Sequence, residues 1–390
     1  MHILLLPSFY PSEIRPTTGI FFIDQVEALR SLGHDVGVLI APRLYETASY
    51  IKNNRKLPPL MEAIPSEDKI YRLHSLWVPR VFPLISGKIY EHAALPAYQK
   101  YVAIHGQPDI IHAHNIFYGG HMAVKIAERY RVPTVLTEHS TNHLRGRIFL
   151  PGQHIIAKAT LQNINQSLAV GQVLADKLNQ MYSPATRVKT IANVVDTNYF
   201  VPKTKNEEFT FAAVGQLNKR KRFDLLVEAF AQAFRDQPVK LIIGGNGSEY
   251  THLESLIQSL NLNSQVTLAG HLSREQVRDL FQQVHVVVSS SDIETFGVTL
   301  IEAMSCGNPI IATKSGGPEQ FVTEDNGILI PINNKQALSQ ALQDMYTNYT
   351  SYNSQLIRDF CIQNFSQNAI GIQLEDIYRQ LEDIYRPLES

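Results

Sequence analysis

Short apolar runs alternate with stretches whose apolar residues recur at helical spacing, and this alternation happens twice along the chain. His2 to Leu6, Asp35 to Ile40, Pro108 to His114 and Pro133 to His139 read as strands in the first half. Phe209 to Val214, Lys240 to Ile243, Gln265 to Ala269 and His285 to Val288 read as strands in the second. Between them stand helical patterns: Phe22, Val26, Leu29 and Leu32 before a Gly33-His34 stop, then Arg222 to Phe234, Tyr250 to Leu260 and Arg274 to Gln283. Such alternation specifies a parallel sheet covered by helices, because parallel neighbours must be joined by a crossover. A chain of 390 residues exceeds what one core serves, so two such sheets are expected. The charged stretch Pro202 to Glu208 contains no apolar residue and sets the expected boundary, giving domains 1–202 and 203–365 and a closing helix 366–390.

Composition narrows the function classes. With 44% hydrophobic and 18% charged residues and a net charge of -1, the chain has material for large cores and no basic surplus that would call for nucleic acid. Its two cysteines, Cys306 and Cys361, sit in apolar helical contexts and read as reduced core thiols. No apolar run reaches the length of a membrane span, and the opening residues read as a strand rather than a leader. The expectation is a cytoplasmic protein, with peripheral contact at the inner membrane face left open.

The densest chemistry lies between Ser289 and Val322. Its polar loop follows the strand His285 to Val288, and in open α/β sheets ligands bind past the carboxyl ends of strands. Phe296-Gly297 leads into Val298, Leu300, Ile301, Ala303 and Met304 at helical spacing, which puts Glu294 in the loop and Glu302 about two turns on. Two acids flanking a helix N-terminus that favours phosphate suit a ligand with hydroxyls at both ends and phosphate between, a nucleotide sugar. An arbitrary pair of glutamates is more often a solvated loop acid and a surface helix acid. The second glycine-containing turn, Lys314-Ser-Gly-Gly-Pro-Glu319, argues against that reading, because it could bring backbone close to a ligand.

Glu294 and Glu302 with seven residues between them, then Ala303-Met304, Cys306-Gly-Asn-Pro309 and Ser315-Gly-Gly-Pro-Glu319, resemble the donor-site signature of retaining glycosyltransferases of family 4. The resemblance implies the GT-B fold: an α/β protein of two Rossmann-like parallel-sheet domains facing an interdomain cleft, the first binding acceptor and the second the nucleotide-sugar donor. It implies transfer of a sugar to an acceptor hydroxyl with retention, no cofactor and no metal. In the basic turn Gly215-Gln-Leu-Asn-Lys-Arg-Lys-Arg222, Lys221 stands at the family's phosphate-binding lysine. Gln216 stands where the family has an arginine, for which Lys219 or Arg220 would substitute. By the same likeness Glu294 bonds the donor sugar, Glu302 the ribose hydroxyls, and the region of Gly270-His271 cradles the base. Phe296, Gly297 and Val298 would contact the donor near the helix entrance, and Gly19, in the first strand-to-helix turn, would face the sugar and diphosphate. Thr18-Gly19 stands where many members carry two glycines, and Val194 in Asn193-Val-Val-Asp196 replaces the usual glycine.

The Thr137-Glu138-His139 segment resembles the one that supplies an active-site histidine, so that role falls to His139, which would bond a sugar hydroxyl or carry a proton. Taken alone, a histidine there is a satisfied loop residue. His112 and His114, two residues apart on one strand face, invite a metal reading. No third ligand is evident nearby, and core histidines are the preferred reading. Arg145 and Arg147 would meet an acidic acceptor or form a solvated face. Trp77, in the poorly periodic 42–69 connection's neighbourhood, reads as a buried anchor or an acceptor wall. Leu150 to Met181 is helical in pattern. The tail repeats Gln-Leu-Glu-Asp-Ile-Tyr-Arg from Gln373 and again from Gln380, which places Leu374, Ile377, Leu381 and Ile384 on one stripe. That stripe would pack back on the first domain, or serve a homodimer contact or a membrane-surface helix.

The acceptor is open among sugar, lipid and protein. Two other readings also stand: a nucleotide-sugar epimerase and a non-catalytic binding protein.

Overall fold

The structure, a computed structural model, describes residues 1–13, 15, 18–64, 68–74, 83–145 and 151–385. Trp77 and Arg147 lie outside them. The chain divides into two units, Met1–Ala192 with Ile370–Ser390, and Asn193–Ala369.

The first unit carries strands β1 (His2–Pro7), β2 (Asp35–Ile40), β3 (Met61–Ala63), β4 (Ile70–Leu73), β5 (Ile110–His114), β6 (Thr134–Glu138), β7 (Gln166–Ala169) and β8 (Lys189–Thr190). Its helices are α1 (Ile20–Ser31), α2 (Leu44–Asn54), α3 (Pro83–His105), α4 (His121–Tyr130), α5 (Pro151–Asn163) and α6 (Gln172–Tyr182). The sheet order is β3-β4-β2-β1-β5-β6-β7-β8, and every pairing is parallel except β3 with β4. Central β1 is apolar on both faces, with Ile3, Leu4, Leu5 and Leu6 fully buried, as a strand covered by helices on two sides must be. Each such side chain contributes roughly 2 kcal/mol of burial.

Two expectations are corrected. The 42–69 stretch is not a plain connection, because it contains α2 and the antiparallel edge strand β3. The 150–181 stretch is not one helix. Asn165 and Gly171 bracket β7, whose four residues are all buried and pair with β6. A buried run this short gives no periodicity that separates strand from helix.

The second unit holds β9 (Phe209–Val214), β10 (Val239–Gly244), β11 (Val266–Gly270), β12 (Val286–Ser289), β13 (Ile310–Thr313) and β14 (Gly327–Ile330), all parallel in the order β11-β10-β9-β12-β13-β14. Helices α7 (Phe223–Phe234), α8 (Tyr250–Ser259), α9 (Arg274–Gln283), α10 (Val298–Ser305), α11 (Lys335–Asn348) and α12 (Ser354–Phe365) connect and follow them. The core joins Phe211, Phe230 and Phe234 to Leu241, Ile243, Ile311 and Leu342. The strand order reverses at β9 and β12, which places the turns after both at the switch point where such sheets bind ligands.

The division falls at Asn193, ahead of the charged stretch. Val195 N–H donates to Phe365 O at 2.9 Å, Arg358 donates to the carbonyls of Thr197 and Phe200, and Gln282 donates to Val201 O, so the 193–201 segment packs on the second unit. Both cysteines are buried and reduced, and burial pushes each thiol up to about 12.

The chain closes with α13 (Gln367–Tyr385). Its buried stripe is Ile370, Leu374, Tyr378 and Leu381, not the heptad stripe expected, and Ile384 is 72% exposed. Leu374 and Leu381, one heptad apart, both stay on the buried face, which Ile370 and Tyr378 complete at helical spacing, whereas Ile377 is half-buried and Ile384 exposed toward its edge. This face belongs to the first unit: Tyr378 Oη meets His112 Nδ1 at 2.6 Å, and Gly371 lies against Leu32 and Ala28.

Candidate active site

In the second unit the residues after β9 and those after β12 are stitched together by backbone. Asn218 accepts from Arg220 N–H and caps a single 3-10 turn over Lys219–Lys221, and Arg222 leaves it at φ 49°. Ser290 Oγ donates to the carbonyls of Lys221 and Arg222, and Asp292 N–H donates to Arg220 O at 2.8 Å. Across this seam Lys221 Nζ reaches Glu294 Oε1 at 2.6 Å and Arg220 Nη1 reaches Glu294 Oε2 at 3.3 Å. Ser291 Oγ adds a bond to Oε1 at 2.8 Å, and Arg220 also donates to Ile293 O.

Glu294 is 8% exposed. Burial pushes its carboxyl up, but the charges of Lys221 and Arg220 and the bonds from Lys221 and Ser291 outweigh that and hold it below the ordinary range. Two cations sharing one carboxylate leave one net positive charge at the switch point. Gly215 makes room for it: a Cβ there would lie 3.0 Å from Lys221 Cε. Arg220 is thus the cation brought to Glu294 alongside Lys221, whereas Lys219 and Gln216 are both exposed.

Helix α10 starts at Gly297, φ 111°, with no side-chain cap and no acid in its first turn, so its N-terminus offers backbone N–H groups and the positive dipole end. Val298 and Glu302 are half-buried on this helix. Phe296 is different: its ring is 3% exposed and packs on Phe321 and Phe365 at 5.3 and 5.7 Å, so only its backbone belongs to the loop surface. The Ser315–Glu319 turn also serves the fold. A Cβ on Gly317 would stand 2.4 Å from Phe296 O, and Gly316 N–H is taken by Glu319, so the close approach is to the chain's own backbone. His271 is exposed beyond the edge strand β11, with β10 between it and β9, about 10 Å across the sheet.

In the first unit, Gly19 precedes α1 at φ 82°, and a Cβ there would press on Phe9 and Phe22 at 3.0 Å. His139 follows β6. Its Nε2 lies 3.1 Å from His114 Nδ1, and its ring stands 4.9 and 5.4 Å from those of Phe21 and Phe22. His112 and His114 are fully buried, and burial, then neighbouring imidazoles, keep both neutral, with His112 lowered to about 3. His112 bonds Thr137 and Tyr378, the role of a core histidine. Glu138, which sequence reasoning passed over, anchors the loop: its buried carboxylate accepts from Asn115 Nδ2 and from the backbone N–H groups of Ile116, His139 and Ser140, at 2.7 to 3.0 Å. Its signal was an acid at the carboxyl end of a strand. Arg145 is half-buried on the following turns. Among the described residues no group of three His, Cys, Asp or Glu stands as a metal site, and no helix is long and apolar enough to cross a membrane.

Two family models match: Glycosyltransferase Family 4 over residues 19–199 and Glycosyl transferases group 1 over residues 195–358. A phosphatidylinositol N-acetylglucosaminyltransferase chain of Arabidopsis thaliana is 29% identical over 56% of this chain and 50% of its own length. TuaC of Bacillus subtilis, a putative glycosyltransferase of teichuronic acid biosynthesis by its name, is 26% identical over 88% of each chain. The chain spans about half the length of the first of these relatives. HepE of Anabaena, solved in complex with UDP and glucose, superposes with a TM-score of 0.73 at 18% identity, covering 98% of this chain and all of that one. The two parallel α/β units and the likeness to HepE show the GT-B fold, and the two family models, which together run from residue 19 to residue 358, make the chain a member of the group 1, family 4 glycosyltransferases.

Proposed function

We propose that the chain transfers a sugar from a nucleoside diphosphate donor to a hydroxyl of a growing glycan or glycolipid, with retention at the anomeric carbon. The observation that carries this reading is the cluster of half-buried Lys221 and Arg220 on the buried Glu294, with the uncapped N-terminus of α10 following in the same unit. The diphosphate takes the two cations and the helix N–H groups. Glu294, released in part from its ion pairs, accepts from sugar hydroxyls, and Glu302 from the ribose.

As the bond from the anomeric carbon to the phosphate oxygen breaks, negative charge grows on that oxygen. Fixed donors aimed there are commonly the largest catalytic contribution. The acceptor oxygen bonds to the same face of the anomeric carbon, and its proton passes to the departing phosphate oxygen. Lys221 and Arg220 supply the neutralisation that a divalent cation provides in other transferases. His139 contacts a substrate hydroxyl. The names of the relatives, an N-acetylglucosaminyltransferase and a protein of teichuronic acid biosynthesis, support hexose-type donors and polymer or lipid acceptors.

The test is turnover across a panel of nucleotide sugars, with and without acceptor extracts. Lys221→Ala and Glu294→Ala are each expected to lower kcat by roughly a hundredfold or more, with the circular dichroism of a folded protein. NMR of the product should show the donor's anomeric configuration. Wild-type rates in both variants would end this reading, and an inverted product would end the retention part.

A further inference from the structure

The first unit fixes one cation in place and leaves it unpaired. Arg43 follows β2, and β2, β1, β5 and β6 are consecutive and parallel, so the turns after all four share the rim where such sheets bind ligands. Its Nε donates to Ser8 O at 2.7 Å, and its guanidinium lies 4.5 Å from the ring centre of Tyr118 and 5.9 Å from that of Phe9. The supports are themselves anchored. Ser8 is buried, its hydroxyl donating to His114 O at 2.7 Å and accepting from Gly119 N–H at 3.1 Å, and it thereby fixes the π-helical turn Asn115–Gly120 that carries Tyr118. Such turns are rare and occur frequently at functional sites. Arg43 is half-buried, yet among the described residues its Nη groups have no acceptor and no carboxylate pairs with it. The acid in the first turn of α2 is engaged elsewhere: Glu46 accepts from Ser12 at 2.6 Å and pairs with Arg72 at 3.6 Å. From Arg43 a row of half-buried rings leads on to the site residues, Phe9 to Phe21 at 6.3 Å and Phe21 to His139 at 4.9 Å. Aromatic walls with a few fixed polar groups are the usual make-up of a small-molecule site.

We propose that Arg43 is an anion-binding residue of the acceptor site, and that the acceptor carries a carboxylate or phosphate. A guanidinium fork matches either group bidentately, and one already braced by a ring and a carbonyl loses little freedom on binding it. The rings of Phe9 and Phe21 then lie along the acceptor between this anchor and the hydroxyl that His139 contacts. The inference rests on the functional reading above, in which the chain moves sugar to an acceptor hydroxyl near His139, and adds the charge of that acceptor. An arginine that only braced Ser8 would be indifferent to that charge.

The test is nitrogen NMR of the full chain, following the Arg43 Nε–H, which its bond to Ser8 O shields from exchange and which Arg43→Gln identifies by its loss. At constant ionic strength, methyl glucuronide and glycerol 3-phosphate carry the two anions, methyl glucoside is the neutral control, and UDP, GDP and ADP stand for the donor. At least one anion should give a shift that saturates by about 50 mM, the weak affinity expected of one charge-assisted contact, and methyl glucoside should give none. Which anion acts separates a carboxylate acceptor from a phosphate one. No saturable shift with either anion, an equal shift with methyl glucoside, or a shift with a nucleoside diphosphate alone overturns the proposal. In transfer assays Arg43→Gln should raise KM about tenfold for an acidic acceptor and less than about twofold for the same acceptor with its acid esterified. An equal rise for both also overturns it. The wild-type titration decides by itself if the variant does not fold. A saturable shift in a protein that transfers sugar to no acceptor would instead sink the functional reading and leave the anion site standing.

Discussion

Glu138 shows how one buried charge couples stability to site geometry. Burial pushes its carboxyl up, but the bond and charge of His143 and the backbone N–H groups of Ile116 and Ser140 bring it down to about 2, from 4.5. The folded carboxyl holds its proton less tightly than the unfolded one, so its contribution is complete above pH 4.5 and is lost as pH falls toward 2. The shift corresponds to roughly 3 kcal/mol. Urea midpoints measured from pH 6 down to pH 2 should therefore fall along an acid limb that is shallower in Glu138→Gln. The amide cannot accept on both sides, so that variant should also be less stable at neutral pH, by about 1–3 kcal/mol. An equal acid limb in both proteins would show that Glu138 is not the group responsible. At this scale Glu294 and Lys221 were legible, because each lies just past a strand's carboxyl end. Arg220 was legible only as one of two substitutes for the arginine missing at Gln216; the seam of Asn218, Ser290 and Asp292 backbone bonds that aims it at Glu294 leaves no pattern in sequence.

Among the elements, long periodic ones could be read and short buried ones could not. Helix α7 and strands β9 and β10 stand where their apolar patterns put them. Strand β7 was absorbed into a helical reading because four buried residues carry no period of their own. The closing helix illustrates a subtler failure, in which a perfect sequence repeat suggested a four-residue stripe of which only Leu374 and Leu381 lie on the buried face. Leu374 is 1% exposed and Ile384 is 72% exposed, although they occupy the same nominal seam. Leu374→Ala should cost about 2–4 kcal/mol in chemical denaturation, and Ile384→Ala less than about 0.5 kcal/mol. Comparable losses would restore the heptad reading. Tyr378→Phe removes one bond to His112, whose Nδ1 also faces Gln25 at 3.2 Å, so its cost should be nearer 1 kcal/mol.

For the whole molecule, the proposed donor site falls within one of the two units. Every residue of the Lys221–Glu294–Arg220 cluster and all of α10 lie within Asn193–Ala369. A nucleoside diphosphate carrying the chemistry of the leaving group should therefore engage this unit without sugar or acceptor. A ligand at a hundred times its dissociation constant stabilises the folded state by about 2.7 kcal/mol. In hydrogen exchange on the full chain, that gain should appear as slowed exchange across Gly215–Arg222 and Ser289–Leu300. Amides of β1 and β5 should change far less, since their cores belong to the other unit. On the proposed reading charge holds the diphosphate, so the protection should weaken as salt rises from about 0.05 to 0.5 M, a range over which the screening length falls to roughly a third. Lys221→Ala should lose most of it at any salt. Protection centred on β1 and α1 with none after β9 would move the donor to the first unit. That outcome would leave the two cations beside Glu294 as a structural ion cluster.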